Sequence, residues 1–271
     1  MPPSKPVTSP SPAAPVALIT GAARRIGRAI ALAMARDGWH IAVHYRRSRE
    51  EAAELVEELE RTGSRAVALA ADLGDVAAAG SLVSRCREQL GPPTCLVNNA
   101  SEFLLDTVAT LDPETWDKHL DINLKTPVFL AKQLYLGLPD GVEGNVINII
   151  DQRVWNLTPE FFSYTISKAG LWTATRTLAQ ALAPRVRVNA IGPGPVLASV
   201  HQTPEEFAAE CASTLLGRGP ESEEIPAAVR FILSARSMTG QMIALDGGQH
   251  LLWEGAENLT VRGREAAASK P

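Results

Sequence analysis

A chain of 271 residues, 45% hydrophobic and 21% charged, can bury the core of one large α/β domain or two small ones. Its 26 Lys and Arg against 30 Asp and Glu give a formal net charge of −4 with no long basic tract, so the charge favours neither nucleic acid nor an anionic membrane. No stretch approaches the ~18 consecutive apolar residues of a membrane span, and three cysteines (Cys86, Cys95, Cys211) without metal-type spacing read as reduced thiols of a cytoplasmic protein rather than a disulfide framework.

The first fifteen residues carry six of the nineteen prolines, which predicts a disordered arm over 1–15 and, lacking an apolar centre, no secretory signal. A loose tail is expected over 256–271. No linker or internal repeat divides the interval 16–255, which reads as one domain. Short apolar runs punctuate it: Val16–Thr20, Ile41–His44, Ala66–Ala70, Cys95–Asn98, Asn145–Ile150, Val186–Ala190 and Met242–Leu245. Strands covered on both faces have this uninterrupted character. The segments between them are amphipathic: Arg49–Arg61 puts Leu55, Val56 and Leu59 on one stripe and Glu50, Glu54, Glu57 and Glu58 outside it. Strand and helix in alternation predict an α/β fold, a Rossmann-type doubly wound parallel sheet of seven strands with helices on both faces.

After the first run comes Thr20-Gly21-Ala22-Ala23-Arg24-Arg25-Ile26-Gly27 and then a helix. Gly21 suits a sharp turn, Gly27 suits close helix–sheet packing, and the helix N-terminus suits a pyrophosphate. An ordinary strand–turn–helix connection reads the same in isolation. After the second run stands His44-Tyr45-Arg46-Arg47-Ser48, with no acid before Glu50. An NAD site places Asp or Glu near here for the ribose 2′-hydroxyl, whereas guanidinium groups suit a 2′-phosphate. The expected cofactor is therefore NADP(H), with Arg46, Arg47 and Ser48 as principal contacts and Arg24 within approach. Tyr164 is the only one of three tyrosines with a lysine, Lys168, four residues on, so phenol and ammonium share a helix face. A neighbouring cation favours phenolate, and the expectation is a Tyr164 pKa lowered toward the working range of a general acid. The histidines 40, 44, 119, 201 and 250 show no metal-ligand spacing.

In order, the glycine turn, Asn98-Asn99-Ala100, Asn123, Tyr164-x-x-x-Lys168, Pro193-Gly194 and Asp246-Gly247-Gly248 resemble the short-chain dehydrogenase/reductase family across residues 16–250, with Arg25 where that family usually has its middle glycine. The resemblance implies that Asp72-Leu73 contacts adenine and that Lys168 also binds the nicotinamide ribose. It implies that Asn123 interrupts its helix and positions a water, and that a lid over about 195–222, helical to about Leu216, covers the substrate. It also implies pairing of the helices around Pro113–Leu136 and Ser163–Leu182 in a homotetramer. Gly21, Ile26, Gly27, His44, Tyr45, Asn99, Ala100, Ser101, Pro193 and Gly194 complete the implied cofactor site.

The family usually has serine at the end of the fifth strand; here it is Asp151. An ionised carboxylate cannot donate to a carbonyl oxygen, but it can accept from an amino-heterocycle or relay a proton to a ring nitrogen. Asp151, Arg25, the HYRRS segment and Asn99-Ala100-Ser101-Glu102-Phe103 together resemble the pteridine reductase branch. That implies Phe103 stacking on a pterin, Ser101 bonding its amino-pyrimidine edge, and Arg25 touching pterin and cofactor phosphate. Phe103 suits a core position equally, and Trp155 and Phe161 suit the pocket wall or the packing beneath it. The expected function is NADPH-dependent reduction of a pterin or dihydrofolate-like substrate. A ketone reductase of the same family and a non-catalytic NADPH sensor are the alternatives.

Overall fold

A computed structural model describes residues 14–199 and 202–252. Most of the expected arm (1–13), the tail from 253 onward, and Val200 and His201 of the expected lid lie outside the described residues. The strands are β1 Val16–Ile19, β2 His40–Tyr45, β3 Ala66–Ala70, β4 Cys95–Asn98, β5 Gly144–Ile149, β6 Val186–Pro193 and β7 Met242–Leu245. They form one parallel sheet in the order β3-β2-β1-β4-β5-β6-β7. The helices are α1 Arg25–Arg36, α2 Arg49–Arg61, α3 Val76–Gly80, α4 Leu82–Leu90, α5 Pro113–Leu120, α6 Thr126–Gly137, α7 Phe162–Leu182, α8 Pro204–Ser213 and α9 Glu224–Ser234. No helix among the described residues is long and apolar enough to cross a membrane.

Successive strand side chains enter different cores, which is why the apolar runs are unbroken. On β1, Ala17 and Ile19 join one cluster with Ile30 and Met34 of α1 and Val229 of α9. Val16 and Leu18 join the opposite cluster with Leu82 of α4 and Leu130 and Leu134 of α6. On α2 the expected stripe faces inward: Leu55 and Leu59 are fully buried with Ala52, and Val56 is partly buried against the same core.

One element meets an expectation and one departs from it. The helical stretch 113–136 is broken by a π-helical turn, Asp121–Lys125, centred on Asn123. Helix α8, in the expected lid segment, ends at Ser213 rather than near Leu216, because the buried Thr214 hydroxyl donates locally and accepts the Arg218 N–H at 3.1 Å, turning the chain. Its start is secured by a capping box between Thr203 and Glu206. Strand order reverses between β1 and β4, and the crevice beyond their carboxyl ends is where such sheets place ligands.

Candidate active site

The turn leaving β1 is assembled from backbone accounting. The Thr20 hydroxyl accepts the N–H groups of Asn99 and Ala100 at 2.9 and 3.0 Å, and the Asn99 amide donates to the carbonyls of Thr20 and Gly21. Gly21 has φ +62, a left-handed conformation that favours glycine. Its N–H donates to His44 Nδ1 at 3.0 Å, so His44 Nε2 carries the proton and donates to Ala71 O at 3.2 Å. Burial lowers His44 to about 4, which keeps the ring neutral. His44 was expected as a cofactor contact, yet both its ring nitrogens are engaged within the protein, and it braces the turn. A Cβ on Gly27 would lie 2.4 Å from Gly21 O and 2.6 Å from the Asn99 amide nitrogen, so only glycine fits there. Arg25, at the place of the usual middle glycine, adopts φ +54 despite its side chain, at a cost of roughly 1 kcal/mol. Its guanidinium donates to Leu197 O at 3.1 Å and Ala198 O at 2.9 Å, joining the turn to the segment after β6.

Beside this turn lies a cleft of about 540 Å³. Gly21, Arg24, Arg25, Ile26 and Gly27 of the turn line it, as do His44, Tyr45, Arg46, Arg47 and Ser48. Asp72, Leu73, Asn99, Ala100 and Ser101 line it as well. The basic groups are not equivalent. Arg46 is 3.3 Å from the Glu102 carboxylate and Arg24 is 3.4 Å from that of Glu51. Arg47 has no such partner among the described residues. No carboxylate stands on the 44–48 segment, so the donor set fits a 2′-phosphate better than a 2′-hydroxyl.

A second cleft, about 690 Å³, continues from the first and shares Arg25, Ile26, Asn99 and Ser101 with it. Phe103, Asp151, Tyr164, Lys168, Pro193 and Gly194 all line it. Asp151 follows β5, and Tyr164 and Lys168 share one face of α7. The Tyr164 hydroxyl donates to Asp151 Oδ2 at 2.8 Å, while Asp151 Oδ1 accepts the Arg153 N–H at 2.8 Å. Lys168 is buried and donates to Ile149 O at 2.9 Å, with Nζ 5.7 Å from the Tyr164 ring centre.

The electrostatics correct one expectation. Tyr164 is held well above the ordinary tyrosine value, first by burial and then by the Asp151 carboxyl, instead of being lowered by Lys168. Burial also raises Asp151, with Arg153, Tyr164 and Lys168 acting against it. Burial lowers Lys168 to about 8, opposed by Asp151. The phenol therefore keeps its proton, which it donates to Asp151, and the pair is not a phenolate site.

Asn123 interrupts its helix as expected, through the π-helical turn. Its side chain is committed elsewhere: Nδ2 donates to Glu102 O and Ser167 Oγ, and Oδ1 accepts from Ser101 Oγ and Glu102 N. All four side-chain positions are filled by protein, leaving the expected water no place on the side chain.

Phe103 is half-buried, not core. It stacks on Phe161 with ring centres 4.2 Å apart and planes 7° from parallel, and it meets Tyr164 edge-on at 4.7 Å. Phe161 lines the cleft, at φ +53, with the Arg153 guanidinium 5.0 Å from its ring centre. Trp155 instead packs edge-on to Trp172 and against His250. Thr20 and Arg153 escaped the sequence reading. Thr20 precedes Gly21 in the turn and was a legible neighbour, whereas Arg153 carried no signal before the fold brought it to Phe161.

The sequence profile described as short chain dehydrogenase matches residues 15–208. A crystal structure of FolM alternative dihydrofolate reductase 1 from Brucella suis in complex with NADP is 51% identical, with a TM-score of 0.85, covering 89% of this chain and 96% of that one. The same-named protein from Brucella canis, complexed with NADP, is 50% identical with a TM-score of 0.84 and the same coverage. A 3-oxoacyl-[acyl-carrier-protein] reductase FabG of Staphylococcus aureus is 30% identical over 240 residues, 87% of this chain and 98% of the relative.

Proposed function

The chain belongs to the short chain dehydrogenase family of oxidoreductases, and we propose that within it the protein is an NADPH-dependent reductase of a C=N bond in a pterin or dihydrofolate-like substrate. The observation that carries this reading is the Tyr164–Asp151 hydrogen bond, which sets a carboxyl where a ketone reductase of this family has a hydroxyl donor. Reduction of C=N places hydride on carbon and a proton on nitrogen. Bound NADPH supplies the hydride; the chain's own task is to place the ring and deliver the proton.

Arg47, Ser48, Arg46 and Arg24 hold the 2′-phosphate in this reading. The N-terminus of α1 with Gly21 and Gly27 takes the pyrophosphate, and Asp72-Leu73 the adenine. Lys168 binds the nicotinamide ribose, with Tyr45, Ile26, Asn99, Ala100, Pro193 and Gly194 as cleft walls. Phe103 and Arg25 offer an aromatic face and a guanidinium to a flat substrate, and Ser101 offers a hydroxyl to its amino-pyrimidine edge. Tyr164 keeps its proton on Oη, hydrogen-bonded to Asp151 Oδ2. Donation from Tyr164, directly or through Asp151, supplies the substrate nitrogen. The 195–222 segment acts as a lid that excludes water.

The names and bound NADP of the two Brucella structures, at 50% and 51% identity, support this assignment. The FabG relative supports a second reading, NADPH-dependent reduction of a 3-oxoacyl thioester. A buried tyrosine and lysine beside a half-buried aspartate in one cleft speak against a non-catalytic sensor. We also infer a homotetramer, with Phe129 and Leu136 of α6 and Ile166 of α7 exposed for subunit contact. NADPH consumption with dihydrobiopterin, dihydromonapterin, dihydrofolate and an acetoacetyl thioester tests the reading. Turnover of a pterin or folate is expected; turnover of the thioester alone would overturn it.

A further inference from the structure

Between Ser101 and Asp106 the chain alternates between two duties. Ser101, Phe103 and Leu105 line the second cleft. The intervening residues are held from behind: Glu102 N–H and C=O by Asn123, Leu104 N–H by His119, and Asp106 by the start of α7.

Behind Leu104 stand three buried polar side chains, Asp106, His119 and Ser163. Their hydrogen bonds admit one assignment of protons. Leu104 N–H can only donate, so His119 Nε2 accepts at 3.1 Å and Nδ1 carries the proton. His119 Nδ1–H then donates to Ser163 Oγ at 2.6 Å, and the Ser163 hydroxyl donates to Asp106 Oδ2. Burial lowers His119, with Asp106 and Glu102 pulling up and Lys168 pushing down, which suits the neutral ring. The carboxylate also accepts the Ser163 N–H at 3.2 Å, and Asp106 O accepts the Phe162 N–H at 3.2 Å. No side chain of the local sequence caps α7, so Asp106 satisfies its first turn from a distant loop. Tyr164 is the next residue. One chain of hydrogen bonds thus runs from the backbone beside Phe103 to the backbone beside the phenol.

We infer that Asp106, Ser163 and His119 are positioning residues, a buried clamp that sets Ser101, Phe103 and Leu105 at a fixed distance from Tyr164 and so governs how a flat substrate binds. The clamp touches neither cleft, and the proposal rests on the reading of the second cleft only in that substrate binds there. An apolar trio would fill the same volume without fixing a register, since dispersion contacts carry no direction.

Hydrogen exchange and steady-state kinetics test it on the full chain. His119→Leu removes both ring nitrogens, and His119→Gln keeps one acceptor and one donor. In His119→Leu we expect faster amide exchange confined to 103–106 and the first turn of α7. For whichever panel substrate the unaltered enzyme reduces, KM should rise about tenfold while kcat and NADPH affinity hold. His119→Gln should recover most of both. If His119→Leu does not fold, Ser163→Ala breaks the same chain while sparing the ring, and the same exchange and KM changes are expected. Unchanged exchange over 103–106, a loss in kcat at constant KM, or His119→Gln as impaired as His119→Leu would each overturn the clamp. Wild-type turnover of the thioester alone would defeat the pterin assignment and leave this test intact, because the exchange and the KM split do not depend on substrate class.

Discussion

The Tyr164 hydroxyl donates to Asp151 Oδ2 at 2.8 Å, so the phenol proton points at a carboxyl and away from bulk water. The Asp151 carboxyl raises the phenol's hold on its proton beyond what burial alone would do, while the phenol's hydrogen bond lowers that of Asp151. Replacing Asp151 by Ser restores a neutral hydroxyl at this place. Pterin turnover should fall roughly 100-fold, the scale of a lost proton-transfer partner, while reduction of the acetoacetyl thioester rises. Full pterin turnover in Asp151→Ser would remove the carboxyl from the reaction.

Lys168 sets a pH limit. Burial lowers it from 10.5 to about 8, so its cation is lost as pH rises through about 8. A step that needs the ammonium should show kcat/KM descending there. Asp151 favours the ammonium, and Asp151→Asn should move the descending limb to lower pH in the residual activity. Stability responds with the opposite sign: between about 8 and 10.5 the unfolded chain holds this proton and the folded one does not, so this group's contribution rises with pH. A pH–rate profile of both proteins, flat through pH 8, would remove Lys168 from the titration.

Arg46 and Arg47 are neighbours with different duties. Arg46 already faces Glu102 at 3.3 Å, whereas Arg47 has no partner among the described residues. Arg47→Ala should raise the Kd for NADPH about tenfold or more and leave that for NADH nearly constant, in keeping with a charged hydrogen bond to phosphate. Arg46→Ala should cost less, because part of its charge is committed. Calorimetric titration with both nucleotides checks the pair, and equal losses for NADPH and NADH would refute the phosphate assignment.

The glycine turn allows two contrasting substitutions. Gly27→Ala drives a methyl to within 2.4 Å of Gly21 O, so it should lower Tm and weaken NADPH binding together. Arg25→Gly relieves a left-handed arginine, worth roughly 1 kcal/mol, but releases the Leu197 and Ala198 carbonyls. It should keep or raise Tm while making the segment after β6 more susceptible to limited proteolysis. A Tm drop in Arg25→Gly comparable to that of Gly27→Ala would show that the backbone there is not strained.

Much of the site was legible before folding. The uninterrupted strands, the glycine turn, the absent acid in the 44–48 segment and the Tyr164-x-x-x-Lys168 pair are local patterns, and each lies where the topology places a crevice. His44 and Asn123 show the boundary of that legibility. His44 lines the first cleft and Asn123 stands behind Ser101 and Glu102, and what each side chain does turns on partners 23 and 21 residues away.

Chain periodicity and motif order settled the doubly wound sheet and the residues gathered at its carboxyl edge, because strand alternation, helix faces and turn chemistry act over a few neighbouring residues. Packing alone decided the protonation of Tyr164, the pairing of Arg46 with Glu102 and the Asp106–Ser163–His119 chain. These depend on desolvation and on donors meeting acceptors across long sequence separations, quantities that exist only once the chain has closed on itself.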